Sequence, residues 1–443
     1  MTAHTDVVLD PRDPHDALGP DPVATARERI RAAALRDGAL GQVGLELELH
    51  LVDLVSPAVR PSWSRVLELV ASVEAGAALP GGSSVTLEPG GQVELSTPPR
   101  VDVTAAVGSL LRDERVLRAH AAELGLGLAA LGADPARPPQ RVNPGARYAA
   151  MEEHFRHLST GGSGLAMMTS TAALQVNLDA GPAAGWHDRL ELARSLVPVL
   201  VALTSTSPWL GGRTSGWHSM RQGTWDGIDH GRTDPVATGD PDDPVREWVD
   251  YAMRAPLLLV AAAHEGERMT PLTRRVSLQE WLEGAAGLPR PATARDVDYH
   301  LTTLFPPVRP RGYLELRCLD AMPARWWPSA AAVAAVLLDD PQAAAVAREA
   351  CAPVADRWEA AARLGPADPA VRRALETCLD VAARRVPAAL ASPVGHLAEL
   401  VASGRSPSSL LREQIERSGP LTVLLEHARP DDDDDLAAGA AHR

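Results

Sequence analysis

Leucine alternates with glutamate over the stretch GLELELHLVD, and this pattern constrains the fold more than any other feature of the chain. Successive side chains of a β-strand point to opposite faces of the sheet. The leucines from Leu45 to Leu51 would therefore share one face, while Glu46, Glu48 and His50 share the other. The pattern predicts a strand with one apolar face towards a core and one acidic face.

Three further segments continue the same pattern of apolar and polar positions. SVTLEPGGQVELS predicts a hairpin around the Pro-Gly-Gly turn at 89–91, and TAALQVNLDA and GYLELRCLD each predict one more strand. The polar positions of these strands are occupied by Glu88, Gln92 and Glu94, by Gln175 and Asn177, and by Glu315 and Arg317.

If these strands pair in one sheet, at least four carboxylates converge on a single face. For any one strand, a polar face in contact with water is an adequate explanation. Taken together, however, the faces are nearly all Glu, Gln and Asn, and like charges opposite each other destabilise a sheet. Such an all-oxygen cluster suits Mg²⁺, which prefers carboxylate, water and phosphate ligands. We therefore predict a divalent-cation site on this face.

Arginines supply the opposite charge. The segment 205–233 is long, rich in Trp and Gly and without an apolar period, which is typical of a functional loop. It contains Arg213, Arg221 and Arg232, and Arg317 follows Glu315 by two residues. Guanidinium groups bind carboxylate or phosphate through two hydrogen bonds, although an ordinary surface ion pair would explain any single one of them.

Charge and composition exclude several functions. A formal net charge of −14 disfavours nucleic acid as a partner, because binding to phosphates requires a basic surface. The chain contains no lysine, which excludes a P-loop lysine, a Schiff-base lysine and a kinase-type lysine. Any ATP chemistry must therefore depend on arginine and metal ions.

The cysteines and the apolar segments predict where the protein resides. Cys318, Cys351 and Cys378 are odd in number and lack C-x-x-C spacing, so we expect neither a disulfide framework nor a zinc site. The first residues lack a hydrophobic leader, and no apolar run approaches 18 residues. We expect a cytoplasmic protein with no membrane partner.

The chain divides into three parts on composition. Residues 1–20 are expected to form a flexible arm, and residues 429–443 an acidic disordered tail. Residues 21–428 are expected to form a single domain, with a sheet core over about 40–325 and a helical part over about 326–428.

The order of the motifs resembles a known family. GLELEL, LEPGGQVELS, LQVNLD, SMRQGTWDGIDHGRT, HLTTLFPPVR and GYLELRCLD, in this order, are similar to the plant-type glutamate–cysteine ligases, which belong to the carboxylate–amine ligase group. The resemblance covers about residues 40–340. The alanine–arginine bias and the absence of lysine look most like the actinobacterial members, which make γ-glutamylcysteine for ergothioneine biosynthesis.

The resemblance implies a fold and a reaction. The fold would be α+β and glutamine synthetase-like, with a curved, mainly antiparallel sheet, helices on its outer face and a helical C-terminal part. ATP would phosphorylate the γ-carboxylate of L-glutamate, and the amine of L-cysteine would attack the resulting γ-glutamyl phosphate. Two or three Mg²⁺ ions would assist, and the partners would be these small molecules.

The resemblance also implies roles for individual residues. Arg317 would meet the transferred phosphoryl group, and Arg221 would bind a substrate carboxylate; both are catalytic candidates. The metal ligands would be Glu46, Glu48, Glu88, Glu94 and Glu315, with Gln175 as a further candidate. Nucleotide binding would involve Arg317 and Gln175, and substrate binding Arg221. On the residues alone, Asn177 is a further candidate for nucleotide binding, and Arg232, Tyr251 and Trp225 are further candidates for substrate binding. The three cysteines do not match the redox-sensitive arrangement of the plant enzymes, so we expect no disulfide control.

Two other functions remain open on the residues alone. A sister ligase would join glutamate to another amine, since the acceptor pocket cannot be assigned from the sequence. A non-catalytic cation-binding protein would use the acidic face alone, but would leave Arg317 and Arg221 without a purpose. The oligomeric state is also open.

Overall fold

A computed structural model of the protein describes residues 17–237, 239–260, 269–284, 287–288 and 290–430. Most of the predicted N-terminal arm, residues 1–16, and most of the predicted acidic tail, residues 431–443, lie outside these described residues.

Eleven strands occur in the described part of the chain. They are β1 (Val43–Asp53), β2 (Ser84–Leu87), β3 (Val93–Ser96), β4 (Leu126–Ala129), β5 (Ala173–Asp179), β6 (Trp209–Leu210), β7 (Arg213–Thr214), β8 (Leu259–Val260), β9 (Thr270–Pro271), β10 (Val308–Pro310) and β11 (Tyr313–Asp320).

The α-helices fall into two groups along the chain. Those before the last strand are α1 (Pro22–Ala34), α2 (Trp63–Ala75), α3 (Val103–Glu123), α4 (Ala146–His157), α5 (Gly161–Ser170), α6 (Trp186–Ser195), α7 (Val197–Thr204), α8 (Met220–Asp226), α9 (His230–Thr233), α10 (Arg246–Arg254), α11 (Leu278–Leu282) and α12 (Ala294–Leu301). Those after it are α13 (Trp327–Asp339), α14 (Pro341–Cys351), α15 (Trp358–Leu364), α16 (Pro369–Arg385), α17 (Ala388–Ala402), α18 (Pro407–Ser418) and α19 (Pro420–Ala428).

Seven strands form one antiparallel sheet in the order β10-β11-β5-β1-β3-β2, with β4 pairing along the second half of β1. The long strand β1 lies in the middle because it pairs on both sides. Leu45, Leu47 and Leu49 are fully buried on its apolar face. Helices α3, α7 and α13 pack on the strands of this sheet. The α+β fold with an antiparallel sheet and helices packed on it is therefore confirmed.

The predicted hairpin is present and tightly closed. The amide of Gly91 donates to the carbonyl of Glu88 at 3.0 Å, and Gly91 adopts a φ of +81°, which favours glycine. At Gly90, a Cβ atom would lie 2.2 Å from the carbonyl oxygen of Thr169, so only glycine allows α5 to approach this turn. The hairpin and α5 are thereby held together beside Glu88.

Two sequence-based expectations need correction. The segment 205–233 is not an irregular loop, since it contains the short β6–β7 hairpin and the helices α8 and α9. The sequence of residues 186–203 also predicts one helix, whereas the structure has two, α6 and α7, and α7 has a proline, Pro198, in its first turn. Proline lacks an amide hydrogen and fits best in the first turn of a helix, which favours a helix boundary here.

The predicted helical part is confirmed by α13 to α19. Helix α13 is the centre of this part, since every residue from Trp327 to Leu338 is buried. In the chain as described, we find no single helix that is long and apolar enough to cross a membrane. Trp327–Asp339 and Pro341–Val354 satisfy that length only as a pair bent by 95°.

All three cysteines are buried and free. Cys318 lies on the apolar face of β11, as the alternation predicts. Cys351 of α14 and Cys378 of α16 face each other with their Sγ atoms 3.6 Å apart. Their separation of 27 residues gave no sign of this contact.

Candidate active site

The polar face of the sheet forms the floor of a cavity of about 190 Å³. The structure brings together here all five glutamates that the sequence singled out: Glu46, Glu48, Glu88, Glu94 and Glu315. The opposite wall comes from α4, α5, α8 and the segment before β10. Acidic side chains from four strands or strand ends therefore converge on one cavity.

Strand register explains this convergence. Glu48 of β1 lies opposite Glu94 of β3, and Glu46 lies opposite Gln175 of β5. Glu315 of β11 lies opposite Asn177 of β5. Because residues that face each other across an antiparallel pair project to the same side, the predicted polar faces become one continuous surface.

Four of the glutamates accept few or no hydrogen bonds. Glu46 accepts one from the amide of Asn177 at 2.9 Å, and Glu48 accepts one from the backbone N–H of Ala173 at 2.9 Å. Glu94 accepts hydrogen bonds from the hydroxyls of Thr86 at 2.6 Å and Ser96 at 3.1 Å. For Glu88, we find none to its carboxylate within the described ranges.

The pKa values of these four carboxyl groups are all raised. Burial is the largest cause in each case, because a low-dielectric environment disfavours the charged form. Repulsion between the acids adds to it: the charges of Glu94 and Glu315 help raise the pKa of Glu46 to about 7. Such a cluster is stable at neutral pH only if it takes up protons or binds cations.

Glu315 differs from the other four. Burial raises its pKa, but the charges of Arg309 and Arg317 outweigh burial and lower it to about 2. Arg309 donates to both carboxylate oxygens, one of them at 2.9 Å, and Arg317 Nη1 lies 3.2 Å from Glu315 Oε1. A cation at Glu315 would therefore share the carboxylate with these arginines.

The donor set fits Mg²⁺. It consists of the carboxylate oxygens of Glu46, Glu48, Glu88 and Glu94. In the part of the chain that the structure describes, no ion pair balances the charges of these four side chains. Oxygen ligands of this kind are those that Mg²⁺ prefers. The amide oxygen of Gln175 accepts a hydrogen bond from Arg317 at 2.6 Å, so this candidate ligand already has a partner.

Arg221 of α8 is the best-placed group for an anionic ligand. Its side chain is buried, and Nη2 donates to the backbone carbonyl of Arg317 at 2.9 Å. Its Nε and Nη1 atoms are buried without a hydrogen-bond partner. Leaving such donors unpaired is costly, so the geometry favours a carboxylate or phosphate as the missing partner.

Trp225, four residues further along α8, also lines the cavity. The Arg221 guanidinium carbon lies 5.9 Å from the centre of the Trp225 ring, and the centre of the Phe305 ring lies 5.0 Å from the centre of the Trp225 ring.

Two of the other predicted substrate residues lie outside the cavity. Arg232 donates to the backbone carbonyls of Thr303 and Pro256. The Tyr251 ring stacks on Trp248 at 5.8 Å. Neither lines the cavity.

Several lining residues were not singled out from the sequence. The most important are Arg309 and Arg311 of the segment VRPRGY, and Arg147 of α4. A signal existed for the first two, because a Pro-Arg-Gly turn directly precedes the strand that contains Glu315. Reading this segment as a hairpin would have placed Arg309 opposite Glu315, as it is in the structure.

The acidic face of the sheet and the buried arginines that face it could together hold a cation beside an anionic ligand. Comparison with known proteins makes this more specific. The model of Glutamate-cysteine ligase family 2 matches residues 42–427, which is most of the chain. The protein therefore belongs to this family.

Individual relatives agree with the family assignment. The chain is 47% identical over 405 residues to "Glutamate--cysteine ligase EgtA" of Mycolicibacterium smegmatis, which covers 91% of this chain and 94% of the relative. It is 33% identical over 249 residues to the chloroplastic glutamate–cysteine ligase of Medicago truncatula, covering 55% and 48% of the two chains. The fold resembles a glutamate–cysteine ligase of Francisella tularensis, solved in complex with AMP, with a TM-score of 0.55, 15% identity and coverage of 89% and 88%.

Proposed function

We propose that the protein is an ATP-dependent ligase that joins the γ-carboxylate of L-glutamate to the amine of L-cysteine. The products are γ-glutamylcysteine, ADP and phosphate, and the role is in ergothioneine biosynthesis. The EgtA relative supports the acceptor and the pathway, since it is similar over nearly its whole length. The cavity observation that carries the proposal is the meeting of four unbalanced carboxylates with the unpaired donors of Arg221.

The reaction balances in two steps. An oxygen of the glutamate γ-carboxylate attacks the γ-phosphorus of ATP, the bond to the bridging oxygen breaks, and ADP leaves. The cysteine amine then attacks the carbon of the acyl phosphate, phosphate leaves, and the amine loses one proton. Phosphoryl transfer depends mainly on positioning and charge neutralisation, which arginines and cations can supply without lysine.

Two or three Mg²⁺ ions would be held by Glu46, Glu48, Glu88 and Glu94, with Glu315 and Gln175 as ligands shared with arginine. Bound there, the ions would neutralise the triphosphate and the glutamate carboxylate. This proposal is supported by the oxygen-only donor set and by the raised pKa values of the four acids.

The arginines have separate roles in this proposal. Arg317 lies beside Glu315 and Gln175 on the floor, where it would neutralise charge on the transferred phosphoryl group. Arg221 would bind a carboxylate of the amino-acid substrate through Nε and Nη1. Trp225 and Phe305 would form the apolar wall next to that substrate.

Release of ADP tests the proposal directly. We expect slow release with Mg²⁺, ATP and glutamate, and a large acceleration when cysteine is added. A panel of other amines, with products identified by mass, tests the acceptor. Faster turnover with a different amine would replace cysteine as the acceptor, and absence of glutamate-dependent ADP release would leave only cation binding.

A further inference from the structure

The cavity has two chemically different ends. At one end, Arg221 contacts the backbone at Arg317, next to the rings of Trp225 and Phe305. At the other end lies the turn between β10 and β11, which contains Arg311. Tyr313 begins β11 four residues before Arg317, so their backbones lie about 13 Å apart at roughly 3.3 Å per residue. The Arg311 and Arg317 side chains approach each other more closely, because their Nη1 atoms lie 3.6 Å and 3.2 Å from the same oxygen, Glu315 Oε1.

Of the three arginines of the β10–β11 hairpin that line the cavity, Arg309, Arg311 and Arg317, Arg311 lies at the mouth and remains available to a ligand. Its side chain is 53% exposed, whereas those of Arg309 and Arg317 are 9% and 14% exposed. Its Nη1 atom lies 3.6 Å from Glu315 Oε1, which is beyond hydrogen-bond distance. Within the described part of the chain, the Arg311 guanidinium donates no hydrogen bond.

Glu315 does not account for this arginine. Its carboxylate already accepts two hydrogen bonds from Arg309 and lies 3.2 Å from Arg317. A third cation at 3.6 Å, half in solvent, adds little to stability, because exposed ion pairs are weak. The Arg311 guanidinium, with its five coplanar N–H donors at the mouth of an acidic cavity, is instead suited to bind the oxygens of a phosphate group.

Backbone hydrogen bonds hold the turn that contains Arg311 against the end of α1. The amide of Gly312 donates to the carbonyl of Ala34 at 2.9 Å, and the amide of Arg36 donates to the carbonyl of Gly312 at 3.0 Å. Gly312 has a φ of +77°, which favours glycine. The end of α1 therefore fixes the turn without the Arg311 side chain, so this side chain can be replaced without disturbing the fold.

We propose that Arg311 binds the phosphate chain of the nucleotide, on the side of the reacting phosphorus that faces away from the amino-acid substrates. The inference rests on the proposed function, which places the substrate carboxylate at Arg221 and the transferred phosphoryl group at Arg317. The remaining phosphates then extend towards the β10–β11 turn. Arg311 holds them in both ATP and ADP, so it contributes to nucleotide affinity and to retention of ADP.

Binding of Mg·ADP by calorimetry tests Arg311 independently of turnover. Arg311→Ala should weaken Mg·ADP affinity about tenfold, the loss expected for one charge-assisted hydrogen bond. It should also raise KM for ATP by a similar factor while leaving KM for glutamate and cysteine unchanged. Arg311→Lys should recover part of the affinity, because a point charge replaces the fork only incompletely.

Arg36→Ala is the matched control. Arg36 is an exposed arginine on the other side of the same turn, within 4.0 Å of where a Gly312 side chain would begin, and it is not among the residues that line the cavity. It should leave Mg·ADP affinity unchanged. An equal loss in Arg36→Ala would show a general charge effect and overturn the proposal.

Two further results would overturn the assignment. Unchanged Mg·ADP affinity in Arg311→Ala would remove Arg311 from the nucleotide site. A rise in KM for glutamate rather than ATP would reverse the two ends of the cavity. If the wild-type protein binds Mg·ADP but releases no ADP with glutamate, the proposed function fails, and the calorimetric comparison still decides the role of Arg311.

Discussion

Two groups of buried charged side chains lie along β1, and they differ in whether arginines of the chain neutralise their carboxylates. Near the C-terminal end of β1, His50 lies beside the buried carboxylate of Asp134. Arg137 Nε lies 2.7 Å and Arg60 Nη2 3.1 Å from Asp134 Oδ2. Burial raises the pKa of Asp134, but the two arginines outweigh burial and lower it. His50 is kept neutral, since burial lowers its pKa to about 4.

Two and four residues earlier on the same face, the carboxylates of Glu48 and Glu46 have raised pKa values. Burial is the main cause of both shifts, and it outweighs the charges of Arg221 and Arg317, which lower the pKa of Glu48. No arginine forms an ion pair with either carboxylate in the described chain. The carboxylate of Asp134 is therefore balanced by arginines of the chain itself, whereas Glu46 and Glu48 have no such ion pair in the described residues. The charge of Asp134 is neutralised without a ligand, whereas the unpaired charges of Glu46 and Glu48 favour a bound cation.

The largest expected effect is the loss of activity in Glu48→Gln or Glu46→Gln. Glutamine keeps the volume but removes a charge that a bound cation requires, so turnover should fall about 10³-fold or more. The metal-free protein should melt at the same or a higher temperature, because one buried like charge is removed. Steady-state ADP release and thermal melting in a chelator measure both.

Glu349→Gln, at an exposed position of α14, is the control and should change neither quantity. Near wild-type turnover of Glu48→Gln at ordinary Mg²⁺ would show that Glu48 is not an essential ligand. A large fall in melting temperature would place Glu48 with Asp134 among the structural acids and erase the contrast between the two ends of β1.

Substitution of Arg317 and substitution of Arg221 should change different kinetic constants. A group that acts mainly in the transition state changes kcat, and one that binds the ground state equally well changes KM. Arg317→Ala should therefore lower kcat about 10³-fold, as for other arginines that stabilise phosphoryl transfer. Arg221→Ala should mainly raise KM for glutamate, with KM for ATP nearly unchanged. Kinetics with each substrate varied separately decide this, and a raised KM for ATP in Arg221→Ala would exchange or remove the two assignments.

Asp134→Asn should have the opposite signature to Glu48→Gln. It leaves Arg137 and Arg60 buried without their carboxylate, which should cost about 3–5 kcal/mol of unfolding free energy. Turnover per folded molecule should change little, since Asp134 does not line the cavity. Chemical denaturation and specific activity measure the two effects.

Asp380→Asn is the control for Asp134→Asn, because Asp380 forms an exposed i,i+4 pair with Arg384. Its loss should change stability by no more than about 0.5 kcal/mol. If Asp134→Asn is equally mild, the arginines of the closed cluster do not depend on their carboxylate.

Local alternation was sufficient to predict the sheet face. Glu46 and Glu48 are two residues apart, and this spacing alone places them on one side of a strand. The sequence could place the acidic residues of four strands together only on the assumption that these strands pair in one sheet. The structure shows such pairing, for example between Glu48 and Glu94. The composition of the combined faces supported that step, because no single strand could distinguish a site from a solvated surface.

Contacts set by tertiary packing could not be predicted. Arg232 lies in the same segment as Arg221, yet it points to the carbonyls of Thr303 and Pro256, about 70 and 24 residues away. The pairing of Cys351 with Cys378 depends on how α14 and α16 pack. Nothing in the spacing of these residues encodes the contact, because helix packing is decided by the whole core rather than by a local period.

The smallest effect expected is a pH dependence that separates wild-type protein from Glu46→Gln in a chelator. Burial, with the charges of Glu94 and Glu315, raises the folded-state pKa of Glu46 to about 7, against 4.5 for the free side chain. Between these values the folded state binds more protons than the unfolded state, so stability falls as pH rises through this window. Glu46→Gln lacks this group, so the wild-type protein should lose melting temperature relative to the variant from about pH 4.5 to about pH 7. Saturating Mg²⁺ should remove or reverse this difference in melting temperature between wild-type protein and variant, because a bound cation favours the charged carboxylate. A gap that is constant with pH would mean that Glu46 is balanced within the chain, as Asp134 is.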